Sequence, residues 1–188
     1  MAVGANADHQ DITVWDITVP LASSRVGVIQ TGHHVVDAKV SSDGVTTVTV
    51  DRHGDVCGYD MRMLQAAISP HVMPGTSRAL LWQHEKVHTH GATCVSICPH
   101  RLKVLDGSKT LAATGGRDGK VCLWNLEAGK QVQTLTKLHS TANRGLFAFS
   151  HSDERVASKV KGIDFDAVGL VSVGHDESIS CVPWSSHP

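Results

Sequence analysis

The sequence has 188 residues, a length that can bury one sizeable hydrophobic core or two small ones. Its formal net charge of −1 at pH 7 gives no reason to expect direct binding to nucleic acid or to a membrane, which basic patches usually mediate. No apolar run is long enough to cross a bilayer. The five cysteines are odd in number and lie mostly in strand-like segments, which favours reduced thiols in a cytoplasmic or nuclear protein.

Short alternating segments around polar turns recur along the chain. DITVWDI, residues 11–17, reads as one strand, and VTTVTVDRHGDVCGYD, residues 45–60, reads as two strands around a turn. TLAATGGRDGKVCLWNLEAGK, residues 110–130, has the same form around an Arg-Asp-Gly turn, and so does GLVSVGHDESISCV, residues 169–182. The chain is therefore predicted to be all-β.

The third of these segments, together with His88 upstream, resembles a WD40 repeat. In that family each unit of about 40 residues forms one four-stranded blade of a β-propeller, with Gly-His near its start and Trp-Asp near its end. The resemblance implies that His88, Thr114, Asp118 and Trp124 form one hydrogen-bonded network inside a blade. In the family these residues support the fold, so no catalytic role is expected for them.

The first two copies of the pattern are weaker. In the first, Trp15 keeps the Trp position and Ala5 lies where the family has Ser or Thr. In the second, Thr49 keeps the hydroxyl, His53 replaces the turn Asp and Tyr59 replaces the Trp. Because the hydrogen-bond chain cannot close without Asp or Trp, these blades are expected to depend on apolar packing between sheets.

The fourth copy retains Ser172 and Asp176 and has Val182 at the Trp position. The strand-ending positions of successive copies are separated by 44, 65 and 58 residues, so the last two units carry insertions of about 15 to 20 residues beyond the usual period. We place one insertion at Ser69–Ser77, with a longer hairpin at Pro99–Lys109, and the other at Thr136–Lys159.

The second insertion contains Leu146, Phe147 and Phe149, which need an apolar surface. We expect part of it to pack back as a strand or as a loop that faces a partner.

The copies predict about three and a half to four blades. The predicted units are 1–32, an incomplete first blade with its outer strand; 33–77, the second blade and a connecting insert; 78–135, the third blade; and 136–188, an insert and the fourth blade. A closed propeller needs at least four blades, and the family usually has seven. We therefore predict a partial WD40 propeller: the C-terminal half of a longer ring, or a segment completed by self-association or by another chain.

A cluster of histidines and cysteines between His84 and His100 includes Cys94 and Cys98, whose side chains suit zinc. The spacing matches no closed zinc module, so we expect no metal and no cofactor. Cys94 beside a histidine is also the best candidate nucleophile, and a few propellers are hydrolases or methylesterases. A small buried residue in a central strand explains Cys94 better, and we expect no enzymatic activity.

Tyr59-Asp60-Met61-Arg62 suggests a more specific alternative. The tetrapeptide resembles the blade end with which WD40 substrate receptors of the cullin-4 ubiquitin ligase dock the ligase adaptor. The resemblance implies that Arg62 contacts the adaptor and that Asp60 fixes the local geometry.

The expected function is a non-catalytic scaffold for protein–protein interactions in a multiprotein complex. In the family geometry, the residue before each turn Asp points to one face of the disc, and here these positions are Arg52, Arg117 and His175, with Asp8 as a further candidate in the first copy. Arginine pairs in bidentate fashion with carboxylate and phosphate. We therefore expect an acidic or phosphorylated peptide to bind this rim.

Overall fold

The computed structural model describes residues 2–6, 11–15, 18–20, 25–31, 33–63, 79–100, 102–104, 107–136, 138–141, 156–165 and 168–183. These residues form β-strands and one short 3₁₀ turn, Met61–Met63. No helix within these ranges is long and apolar enough to span a bilayer. The all-β prediction is confirmed.

Four antiparallel sheets follow one another along the chain. The first contains β1 (Ala2–Asn6), β2 (Asp11–Trp15) and β3 (Arg25–Gln30). The second contains β4 (Val35–Val40), β5 (Thr46–Asp51), β6 (Val56–Asp60) and β7 (Leu80–His84). The third contains β8 (Ala92–Ile97), β11 (Leu111–Gly116), β12 (Val121–Asn125) and β13 (Lys130–Leu135). The fourth contains β16 (Val160–Phe165), β17 (Gly169–Gly174) and β18 (Ile179–Pro183).

Two small hairpins extend from these sheets. They pair β9 (Leu102–Val104) with β10 (Gly107–Lys109), and β14 (Ser140–Thr141) with β15 (Val156–Ala157). The first is the longer hairpin that the sequence predicted at Pro99–Lys109. The second closes the base of the insertion predicted at Thr136–Lys159. The insertion at Ser69–Ser77 and the apolar residues Leu146, Phe147 and Phe149 lie outside the described residues.

The sheets are arranged as consecutive blades of a propeller. The first strands of the second, third and fourth sheets, β4, β8 and β16, lie side by side. β1 packs on β4 as β5 packs on β8 and β11 on β16, so β1 is the second strand of its blade. The described part of the first blade therefore has its second to fourth strands, and that of the last blade its first to third. This confirms the predicted count of about three and a half blades.

Each junction between neighbouring blades has its own apolar core. Alternation along the strands sends one face of each sheet toward the preceding blade and the other toward the next. Ile12, Ile29 and Tyr59 belong to the core between the first two blades. Val48, Val95 and Trp124 belong to the second core, and Val121, Val160 and Leu170 to the third. Apolar packing therefore joins every pair of neighbouring blades among the described residues.

One boundary and one register position differ from the sequence prediction. The predicted limit at residue 77 assigned β7 to the third unit, but β7 pairs with β6 and completes the second sheet. In the first blade, the pairing of β1 with β2 places Gly4 opposite Thr13. Thr114 lies in the corresponding register opposite Cys122. Gly4, rather than Ala5, thus occupies the Ser/Thr position, because one residue of register separates the two.

Candidate functional site

The four network residues predicted in the third blade lie together. His88 Nδ1 is 3.2 Å from Asp118 Oδ1, and His88 Nε2 is 3.0 Å from Thr114 Oγ1. The indole N–H of Trp124 donates to the same Thr114 oxygen at 3.0 Å. Rings of His88 and Trp124 are fully buried. A proton on Nδ1 of His88 would be donated to Asp118, and Nε2 would then accept the Thr114 hydroxyl proton, so that every group is paired.

Asp118 is the anchor of this network. Its carboxylate also accepts the backbone N–H of Thr89 and of Lys120, each at 3.2 Å. Burial alone would raise the pKa of Asp118, but the hydrogen bond with His88 and the backbone N–H groups of Lys120 and Thr89 hold that pKa below its ordinary value. Asp118 is therefore ionised at neutral pH and fixes the orientation of the His88 ring.

A second network, which the sequence analysis missed, lies in the fourth blade. His139 is 1 % exposed, and its Nε2 lies 2.9 Å from Ser172 Oγ. Its Nδ1 lies 3.2 Å from Asp176 Oδ1 and 3.0 Å from Ser178 Oγ. With Val182 at the Trp position, the chain of hydrogen bonds ends at Ser172. The sequence assigned His139 to an insertion, although Leu138-His139 has the same pattern as Val87-His88.

The rim residues occupy equivalent places in three blades. The backbone N–H groups of Arg52, Arg117 and His175 each donate to the loop before the first strand of their own blade. The acceptors are the carbonyls of His34 at 3.2 Å, Gly91 at 2.9 Å and Lys159 at 2.8 Å. All three side chains are exposed, and none forms an ion pair within the described part of the chain. Asp8, the fourth rim candidate, lies outside the described residues.

The turns that carry these residues are fixed by backbone geometry. The second residue after each rim position has a positive φ: Gly54 at 90°, Gly119 at 70° and Glu177 at 61°. Gly91 links two adjacent turns, because its carbonyl accepts the N–H of Arg117 and a Cβ on it would lie 2.5 Å from the carbonyl oxygen of Arg52. The turns that carry Arg52 and Arg117 are thus in close main-chain approach at Gly91.

Asp60 and Arg62 form a bidentate ion pair at the end of β6. Arg62 Nε donates to Asp60 Oδ1 at 2.9 Å, and its terminal nitrogen donates to Oδ2 at 2.6 Å. These hydrogen bonds hold the pKa of Asp60 below its ordinary value. The Arg62 side chain is 70 % exposed. The two hydrogen bonds to Asp60 therefore hold its guanidinium in one orientation at the surface.

The suggested metal and nucleophile residues between His84 and His100 do not form a site. His84 Nε2 lies 2.7 Å from the carbonyl oxygen of Gly129, and His88 belongs to its blade network. Cys94 and Cys98 are buried, and burial raises the pKa of the Cys94 thiol. A protonated, buried thiol is a poor nucleophile and a poor metal ligand.

No protein-family profile matches the sequence. No curated protein matches it either. Among solved structures, a chain in "Crystal Structure of Mitotic Checkpoint Complex" matches with a TM-score of 0.67 and 18 % identity. The match covers 98 % of this chain and 46 % of that chain, so this chain spans less than half the length of the matched one. Together with the blade order, this likeness establishes the fold as a partial WD40-type β-propeller.

Proposed function

We propose that this chain is a non-catalytic scaffold that binds acidic or phosphorylated segments of partner proteins through the rim formed by Arg52, Arg117 and His175. The observation that carries the proposal is the equivalence of these three exposed side chains, each following the second strand of its blade and each anchored by the same backbone hydrogen bond. A rigid set of turns loses little conformational entropy when a partner binds.

The chemistry of the rim favours anions. Arg52 and Arg117 remain protonated at physiological pH, and a planar guanidinium can donate two parallel hydrogen bonds to carboxylate or phosphate. Neither guanidinium is neutralised by an acidic group in the described part of the chain. The matched chain comes from a complex, which supports a role in binding other proteins.

Charge reversal of the rim tests this proposal. We expect Arg52→Glu/Arg117→Glu to lose most partners recovered by the tagged wild-type chain, while its melting temperature stays nearly unchanged because exposed charges contribute little to stability. The matched control is Lys130→Glu/Lys161→Glu, which changes the net charge equally at two other exposed positions. Full partner recovery by the rim variant would place the binding surface elsewhere.

The Asp60–Arg62 pair supports a second candidate function, substrate reception for a cullin-4-type ubiquitin ligase. The supporting observation is that Asp60 holds an exposed guanidinium in one orientation at the end of a blade. In the same recovery experiment, Arg62→Glu would remove ligase subunits selectively if this candidate is right. Retention of those subunits, or their absence from the wild-type sample, would rule it out.

The setting that we propose is cytoplasmic or nuclear. It is supported by the five cysteines, which all carry reduced thiols, four of them buried. Burial raises the pKa of the Cys57 thiol to about 11, which keeps it in the unreactive protonated form. Self-association, or completion of the ring by another chain, remains part of the proposal.

A further inference from the structure

The turn between β5 and β6 has the same backbone hydrogen-bond pattern as the corresponding turns of the third and fourth blades. Its side chains are different. In each turn, the N–H of the first residue donates to the carbonyl four residues later. The pairs are Asp51 with Asp55 at 3.2 Å, Gly116 with Lys120 at 3.2 Å, and Gly174 with Ser178 at 3.1 Å. The third and fourth blades need glycine at the first position, because a Cβ there would lie 2.3 Å from Nδ1 of His88 or His139. In the second blade that position carries a carboxylate.

The Asp51 side chain therefore begins where a histidine ring lies in the two other blades. Its Oδ1 accepts the backbone N–H of His53 at 2.8 Å and of Asp55 at 3.0 Å. Asp55 Oδ1 accepts the backbone N–H of Lys86 at 2.8 Å. These contacts hold the Oδ1 atom of each acid and leave Oδ2 of each without a hydrogen bond to any described residue.

Both acids are buried without a compensating cation. Asp51 is 5 % exposed and Asp55 is 7 % exposed, and neither forms an ion pair within the described ranges. Two adjacent buried carboxylates repel each other and lose hydration, so a cation beside them would stabilise the pair. Among the described residues, Trp82 Nε1 is the polar side-chain atom that is fully buried and has no hydrogen-bond partner, so the Oδ2 atoms of Asp51 and Asp55 do not belong to that class. The Oδ2 atoms of the two acids therefore keep some contact with solvent.

His33 adds a nitrogen to this pair of acids. It lies in the loop from β3 to β4, and its ring meets that of His53 edge-on, with centroids 5.5 Å apart. A ring nitrogen of His33 and a carboxylate oxygen from each of Asp51 and Asp55 all lie within 4.8 Å of one another. In a tetrahedral site with bonds of about 2.1 Å, ligand atoms lie about 3.4 Å apart, so small side-chain rotations would bring these three donors to bonding distance.

We propose that His33, Asp51 and Asp55 form a binding site for a divalent transition-metal ion of the Zn²⁺ type. Imidazole nitrogen favours such ions over Ca²⁺ and Mg²⁺, which prefer oxygen ligands alone. The ion would neutralise the two carboxylates and leave one position for water or another ligand. It would tie the loop that enters the second blade to the turn that carries Arg52, in place of the His–Asp pair of the other blades. This proposal is independent of peptide binding at the rim.

Calorimetric titration of the metal-free full chain with ZnCl₂ tests the proposal. We expect one site per chain that is clearly tighter than any other, and at least tenfold weaker binding in His33→Ala and in Asp51→Asn. Asp51→Asn keeps the oxygen that accepts the two backbone N–H groups, so its turn should still form. His33→Ala changes only a partly exposed loop residue, so it decides the matter if the other variant does not fold.

His90→Ala is the matched control. His90 precedes the third blade at the position that His33 has before the second. The corresponding turn of the third blade has Gly116 and Lys120 in place of the two acids. The control variant should bind Zn²⁺ like the wild-type chain. The melting temperature should rise with Zn²⁺ in the wild type and in this control, and not in the two site variants. Equal Zn²⁺ affinity in His33→Ala and wild type would overturn the proposal, as would a preference of the site for Ca²⁺ or Mg²⁺.

Discussion

At the scale of single residues, Asp118 matters because three buried or half-buried groups depend on its carboxylate. It accepts the backbone N–H groups of Thr89 and Lys120, and Nδ1 of His88 lies within hydrogen-bonding distance of it. The His88 ring in turn orients the Thr114 hydroxyl, which accepts the Trp124 indole N–H. The carboxylate therefore stabilises the blade by keeping a connected set of polar groups paired inside an apolar core.

We predict that Asp118→Ala lowers the free energy of unfolding by about 1 to 3 kcal/mol, the usual cost of leaving a buried donor without an acceptor. His53→Ala, at the corresponding position of the second blade, should cost much less, because His53 is exposed. Denaturant unfolding of both variants measures the difference. Equal losses would show that the third-blade network does not stabilise the domain.

At the scale of elements, the second and third blades are joined through aromatic side chains. Trp82 on β7 stacks on Trp124 of β12, with ring centroids 6.0 Å apart and planes 12° from parallel. Gly129, in the turn from β12 to β13, has a φ of 60°, and a Cβ on it would lie 2.4 Å from the Trp82 ring. The absence of a side chain at this turn is what allows β7 to pack closely against the next blade.

We predict that Gly129→Ala destabilises the chain more than Gly44→Ala does. Both glycines have positive φ, so both substitutions strain the backbone. A Cβ on Gly44 meets nothing within 4 Å, so only Gly129→Ala also displaces Trp82. Thermal melting of the two variants isolates the contribution of this contact. A smaller effect at Gly129 would mean that β7 does not pack on the third blade as described.

Strand order and the third-blade network could be predicted from the sequence because they depend on local alternation and on a short turn. The His139 network could not, because the β14–β15 excursion separates His139 from its blade and spacing is then a poor guide. The acidic pair was overlooked for another reason. Asp51 and Asp55 read as ordinary turn residues, and only the comparison with Gly116 shows that the second blade has a side chain where the third blade needs room for a histidine ring. Three-dimensional proximity to His33 is not encoded in any local pattern.

At the scale of the whole molecule, the described blades form an open arc with contacts from the first to the second, the second to the third and the third to the fourth. Trp15 has the register of Trp124 but is 37 % exposed, because its face of the first sheet has no neighbouring sheet among the described residues. At the other end, Ile179 on β18 is 68 % exposed. Apolar faces and unpaired strand edges of this kind promote association.

We therefore predict that the isolated 188-residue chain forms oligomers or aggregates, because its end blades expose apolar side chains. Size-exclusion chromatography with light scattering measures the mass directly. A stable monomer with a single cooperative melting transition would instead indicate that the ends of the arc meet and close.

The central functional claim concerns the location of the binding surface, and hydrogen–deuterium exchange tests it most directly. Exchange is compared between the free chain and the chain bound to the partner proteins that it recovers. In the bound state we predict slower exchange in the three turns that carry Arg52, Arg117 and His175, because a docked acidic segment covers their backbone amides. The outer strand β13 should be unaffected. Unchanged exchange in all three turns, with protection confined to residues 61–63 or 136–157, would contradict the account.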